Sequence, residues 1–180
     1  MQTVLDQVTL VDEHDHQIGV MDKVEAHRGE GKRHRASSVF LFNKKGELLI
    51  QQRSKKKIVG ALQWANTSCG NVRPNETPEE CAYRRLREEL GITTAIIQPL
   101  YTFEYHVKCN AKFSEWEIDH VFVGKYDGEI ALNLDEVVNY RWMKLLKLQI
   151  EIINNINVYA PWLHIVLNDK RLLDYNKNCY

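Results

Sequence analysis

The stretch Gly70-Asn-Val-Arg-Pro-Asn-Glu76-Thr-Pro-Glu-Glu-Cys-Ala-Tyr-Arg84-Arg85-Leu-Arg-Glu88-Glu89-Leu-Gly91-Ile92 decides how the chain is read. Its centre has the marks of a helix over residues 75–90. Thr77 stands where a side chain caps the first turn, and Pro78 takes the favoured first helical position. Glu79 and Glu80 meet the positive end of the helix dipole. Cys81, Ala82, Leu86 and Leu90 recur at helical spacing, and Gly91 can close the last turn. Cys81 reads as a small buried hydrophobe. Positions 84 and 88, like 85 and 89, are i,i+4 neighbours, so basic and acidic groups share one surface. Alone, such a helix is a solvated element laced with ion pairs. Carboxylates on such a surface can also hold a divalent metal, a metal can hold phosphate oxygens, and arginines can neutralise what remains.

On either side of this stretch the pattern is mainly β. Alternating apolar residues over 3–11 (Val4, Val8, Leu10), a polar turn at 12–16 and the run 17–21 predict an N-terminal hairpin. Residues 36–43 predict a buried strand, 43–46 a turn, and 47–53 the returning strand. A basic loop at 54–57 leads to a further strand ending near Gly70. Two longer strands are expected over 95–107 and 115–126, and a shorter one ends at 140–143. Helices are expected over about 145–156 and 161–173. With no repeat or linker, residues 1–180 read as a single domain of mixed α and β.

Composition narrows the function. The 24 basic residues balance the 24 acidic ones, so the excess of positive charge usual in nucleic-acid binders is absent. No apolar run approaches the roughly 20 residues of a membrane helix. The N-terminus lacks the basic and apolar blocks of a secretory signal, and the expected location is the cytoplasm. The four cysteines have no short paired spacing, so neither a disulfide framework nor a zinc knuckle is indicated.

The spacing Gly-x5-Glu-x7-Arg-x3-Glu-Glu-x-Gly over 70–92 resembles the Nudix box. Arg85 departs from the hydrolase form of that box, which has glutamate there. Beyond the box the chain resembles the type I isopentenyl-diphosphate isomerases in 23–27, 34–38, Gln52-Arg53, 64–70, Phe103-Glu-Tyr105, Glu115-Trp-Glu117, Asp135-Glu-Val, Tyr140-Arg-Trp142 and Ala160-Pro-Trp162. These run in the family's order over nearly the whole chain. The resemblance implies an α/β/α sandwich of mixed sheets with an N-terminal extension. It also implies a 1,3-allylic proton shift between isopentenyl and dimethylallyl diphosphate by a monomer.

In that family's terms Cys69 and Glu117 match the acid–base pair, Tyr105 the phenol beside it, and Trp64 the indole near the cationic carbon. Lys23, Arg53, Lys57 and Arg85 match the diphosphate anchors. His27, His34, Glu115 and Glu117 match ligands of a first ion, Mn²⁺, Mg²⁺ or Zn²⁺. Glu89 matches the ligand of a Mg²⁺ held with the diphosphate. Alternation along a strand puts Glu115 and Glu117 on one side. His27 and His34 require the loop containing Gly29 and Gly31 to fold back. Asn71 stands where the family has a metal-binding histidine. It can leave four ligands and water, offer its amide oxygen, or move the preference toward Mg²⁺. A Nudix pyrophosphohydrolase and a noncatalytic diphosphate binder remain as alternatives.

Overall fold

The computed structural model describes residues 7–179. The N-terminal hairpin forms from β1 (Gln7–Val11) and β2 (Gln17–Asp22); the part expected at residues 3–6 lies outside the described residues. The register shifts between Leu10 and Val11, and Val8, Thr9 and Val11 are all buried. Directly after β2 comes a helix that the sequence analysis did not assign, α1 (Lys23–His27). Asp22 caps it, accepting from the amides of Val24 at 2.8 Å and Glu25 at 3.1 Å. This satisfies donors that a helix start leaves orphaned.

β3 (His34–Phe42) is the central strand. Val39, Phe40, Leu41 and Phe42 are fully buried, the continuous apolar run of a strand covered on both faces. β3 runs parallel to β8 (Ser114–Lys125) and antiparallel to β6 (Ser68–Asn71), and β7 (Ile96–Lys108) pairs antiparallel on the far side of β8. β4 (Glu47–Arg53) pairs with β5 (Trp64–Ala65) and β9 (Val137–Lys144).

The single strand expected before Gly70 is therefore two, belonging to different partners. Thr67 makes the crossing possible: its hydroxyl donates to the Leu49 carbonyl at 2.7 Å and accepts from the Leu41 amide at 2.9 Å. Both backbones keep a partner where the ladder is interrupted.

Helices cover both sides, the α/β/α arrangement expected. α2 (Pro78–Leu90) packs Ala82, Leu86 and Leu90 against Val39, Leu41 and Leu49. Its Thr77–Glu80 capping box and left-handed Gly91 cap (φ 65°) are both present. On the opposite face, α3 (Leu145–Asn154), α4 (Pro161–Val166) and α5 (Lys170–Cys179) cover Phe40, Phe42, Ile50 and Val123. The last expected helix is broken in two at Asn168-Asp169, where Asp169 Oδ1 accepts from the Arg171 amide at 2.8 Å and begins α5. Among the described residues no helix is long and apolar enough to cross a membrane.

Candidate active site

A cavity of about 450 Å³ opens between α1, the middle of α2, β6 and the start of β8, within the size range of small-molecule sites. His27, Glu115 and Glu117 line it, and fully buried His34 stands beside them. One donor atom from each of these four side chains lies within 4.8 Å of the others. Strand register explains the gathering: His34 on β3 faces Glu117 on β8, and Tyr105 on β7 faces Glu117 from the other side. The loop after α1 folds back as the spacing required, with Gly29 (φ 64°) and Gly31 (φ 79°) in the left-handed region that side chains disfavour.

The backbone sets both imidazole tautomers. His27 Nδ1 lies 2.6 Å from the Lys23 carbonyl and His34 Nδ1 2.7 Å from the Lys32 carbonyl. A carbonyl only accepts, so each Nδ1 carries the proton and each Nε2 lone pair faces inward. His27 Nε2 then meets Glu115 Oε2 at 2.9 Å, and His34 Nε2 meets Glu117 Oε1 at 3.3 Å. Acceptor facing acceptor in a buried site calls for a cation between them, and two nitrogens with two carboxylates suit a divalent metal. Burial disfavours the charge on His27, but Glu115 outweighs it and raises the imidazole pKa. Burial likewise opposes ionisation of Glu115, and His27 reverses it, holding that carboxyl low. Glu117 goes the other way, raised by burial and then by Glu115.

Asn71 faces this cluster. Its Nδ2 lies 2.9 Å from His34 Nε2 and donates to Glu117 Oε1 at 3.2 Å. The Tyr105 hydroxyl donates to Glu117 Oε2 at 2.5 Å, and burial keeps its pKa well above the ordinary value. Asp119, next along the same strand face, is fully buried. Burial and then Glu117 push its pKa up.

Cys69 lines the cavity from β6, with β3 between it and Glu117. Burial pushes its thiol up to about 12, against the pull of Arg53, whose Nη1 approaches the sulfur at 3.5 Å. Cys69 therefore holds its proton at neutral pH.

Lys23, Arg53, Lys57 and Arg85 all line the same cavity. Lys57, the last residue of the basic loop, turns inward to Glu89 at 3.0 Å. Arg85 reaches Glu89 and Glu136. Gly70 leaves it room, since a Cβ there would come within 2.8 Å of the Arg85 side chain. Burial opposes the charge of Glu89, but Arg85 and Lys57 hold its carboxyl at about 2. Burial, and then the like charges of Lys57, Arg85 and Arg53, lower the pKa of Lys23. Arg84 is structural, tying Glu76 (2.5 Å), Glu88 (3.1 Å) and the Asn71 carbonyl (3.2 Å) to α2.

One expected residue is elsewhere. Trp64 does not line the cavity; it packs toward the α3–α5 side with the Arg141 guanidinium 4.3 Å from its ring centroid. β5 pairing with β4 turns the indole that way. Trp162 of α4 lines the cavity instead, with Arg53 5.1 Å from its ring centroid and its Nε1–H donating to Asn66 at 3.1 Å. Glu136, also given no role from sequence, lines the cavity as well. Both lie within quoted motifs, Ala160-Pro-Trp162 and Asp135-Glu-Val, and that was the available signal.

The NUDIX domain pattern matches residues 32–163. The chain belongs to the NUDIX domain family, as its loop–helix–loop and sandwich indicate. Within it, the chain falls with proteins named isopentenyl-diphosphate Delta-isomerase. It is 42% identical over 161 residues to isopentenyl-diphosphate Delta-isomerase 2 of Photorhabdus laumondii, covering 89% of this chain and 90% of that protein. It is 39% identical over 163 residues to isopentenyl-diphosphate Delta-isomerase 2 of Aromatoleum aromaticum, covering 91% and 85%. Among solved structures, DR0079 from Deinococcus radiodurans superposes with a TM-score of 0.73 at 23% identity, covering 97% and 99% of the two chains. A MutT protein from Methanosarcina mazei gives 0.63 at 23% identity, covering 81% and 96%. These two likenesses show the fold alone.

Proposed function

We propose that the chain interconverts isopentenyl diphosphate and dimethylallyl diphosphate by a 1,3-allylic proton shift, acting as a single-domain monomer in the cytoplasm. One observation carries this reading. Cys69 and the Glu117–Tyr105 pair approach one cavity from strands on either side of β3. The reaction adds a proton to the terminal alkene carbon and removes one from the carbon on the other side of the tertiary centre. Two proton-exchanging groups on separate faces are what it needs.

Cys69 serves one face as a thiol, and Glu117 serves the other with Tyr105 relaying its proton. The tertiary carbocation between the two steps must be kept from water. Trp162 is 2% exposed and offers a π face worth ~2 kcal/mol to a desolvated cation. Lys23, Arg53, Lys57 and Arg85 anchor the diphosphate. His27, His34, Glu115 and Glu117 are the residues that would hold a Mn²⁺, Mg²⁺ or Zn²⁺ ion, and Glu89 a Mg²⁺ shared with the diphosphate. Such ions supply positive charge that neutralises the carboxylates and phosphate oxygens.

The pyrophosphohydrolase reading has less support. Arg85 carries a cation where the hydrolase box has a carboxylate, and hydrolysis gives Cys69 no task. Incubation with isopentenyl diphosphate and with nucleoside diphosphate derivatives separates the readings. Dimethylallyl diphosphate is expected; release of phosphate or monophosphate without isomer would overturn the proposal.

A further inference from the structure

The two diphosphate cations Lys57 and Arg85 are already neutralised. Each touches the same two carboxylates, Glu89 and Glu136. Arg85 also meets Glu88 at 2.7 Å, so the positive charge of Lys57 and Arg85 is already matched by carboxylates where a diphosphate would enter. The two carboxylates differ in their freedom. Glu89 sits on α2 with its side chain wholly buried and takes a further hydrogen bond from Gln51 Nε2 at 2.8 Å. Glu136 projects from the turn before β9, lines the cavity, and leaves 30% of its side chain exposed.

Its backbone is fixed. The Glu136 amide donates to the Asn133 carbonyl at 2.9 Å, and its carbonyl accepts from the Ser54 amide at 2.9 Å. Movement is thus confined to the side chain, which has solvent on one side and the two cations on the other.

We propose that Glu136 is a placeholder anion: it holds Lys57 and Arg85 in the empty site and is exchanged for the substrate's diphosphate on binding. The inference rests on the diphosphate reading above. While Glu136 is in place, the two cations are kept in their binding geometry and their mutual repulsion is offset. When the diphosphate enters, the carboxylate rotates to water, where its charge is solvated at little cost. Affinity for the diphosphate is lowered by the competition, and the cations need no reorganisation.

The test is calorimetric titration of the full chain with inorganic pyrophosphate in metal-free buffer. Wild type is compared with Glu136→Gln, Glu136→Asp and Arg85→Ala, folding being checked by circular dichroism. Glu136→Gln removes the competing charge and should bind pyrophosphate about tenfold tighter, the scale of one charged hydrogen bond. Glu136→Asp, too short to reach both cations, should fall between it and wild type, and Arg85→Ala should bind about tenfold or more weaker than wild type. Equal or weaker binding by Glu136→Gln overturns the placeholder while leaving the diphosphate site standing. Failure of wild type and both Glu136 variants to bind pyrophosphate, with or without Mg²⁺, overturns the diphosphate reading and the placeholder together.

Discussion

Asn71 Nδ2 stands 2.9 Å from His34 Nε2, the nitrogen whose lone pair faces the two buried glutamates. An amide so placed can turn its oxygen to the same point, giving a neutral fifth donor. Oxygen is a poorer partner than imidazole nitrogen for Zn²⁺, and much less so for the oxygen-preferring Mn²⁺ and Mg²⁺. Asn71→His should therefore tighten Zn²⁺ binding by about tenfold or more, with a smaller gain for Mn²⁺ and little change for Mg²⁺. Calorimetric titration of the chelator-stripped protein beside the variant measures this. Equal transition-metal affinities would mean that residue 71 takes no part in holding the ion.

The acid–base assignment predicts that Cys69→Ala and Glu117→Gln each lower isomerisation by at least ~100-fold, the usual scale of general acid–base catalysis. Circular dichroism should be unchanged for both. Near-normal turnover by either folded variant contradicts its role.

The two tryptophans make opposite predictions. Trp162→Phe keeps a weaker π face and loses the donation to Asn66, so turnover should drop by roughly tenfold or more while the fold persists. Trp64→Phe, away from the cavity, should leave turnover within about threefold of wild type. Steady-state rates on isopentenyl diphosphate decide it, and the reverse ranking would restore Trp64 to the site.

This exchange of tryptophans shows where the sequence is legible and where it stops. α2 could be read residue by residue because its signals are local: Thr77 and Glu80 cap it, Gly91 ends it, and one stripe faces the core. Glu115 and Glu117 share a side because strands alternate. No local rule says which of two motif tryptophans reaches the cavity. That depends on β5 pairing with β4 and on where α4 docks, which are tertiary facts. The same limit hid Glu136, whose partners Lys57 and Arg85 are 79 and 51 residues away; α1 has a local cap in Asp22, but its 5 residues are too few to show an apolar stripe.

Glu89 links charge to stability. Its folded-state pKa, about 2, lies below the ordinary 4.5, so the unfolded chain binds its proton more readily. The stabilisation is fully present above about pH 4.5 and is lost as pH falls toward 2. A shift of that size corresponds to about 3 kcal/mol at neutral pH. Glu89→Gln should lower the melting temperature clearly at pH 7, with the gap closing steadily between pH 4.5 and 2. Thermal melts across that range check the slope; a constant gap would mean the Lys57–Arg85 surroundings do not hold its charge.

Arg53→Ala and Arg85→Ala should each weaken binding of isopentenyl diphosphate by roughly 1–3 kcal/mol, the scale for losing a hydrogen bond to a charged group. Titration of metal-loaded protein measures it. Unchanged affinity in both would leave these arginines as structural ion-pair partners only.

The most direct measurement follows isopentenyl diphosphate by proton and deuterium NMR with the metal-loaded protein in D₂O. The account predicts dimethylallyl diphosphate carrying solvent deuterium in the methyl group formed from the terminal alkene carbon, with no such product from Cys69→Ala. Release of phosphate without isomer, or isomer equally abundant with Cys69→Ala, would contradict it.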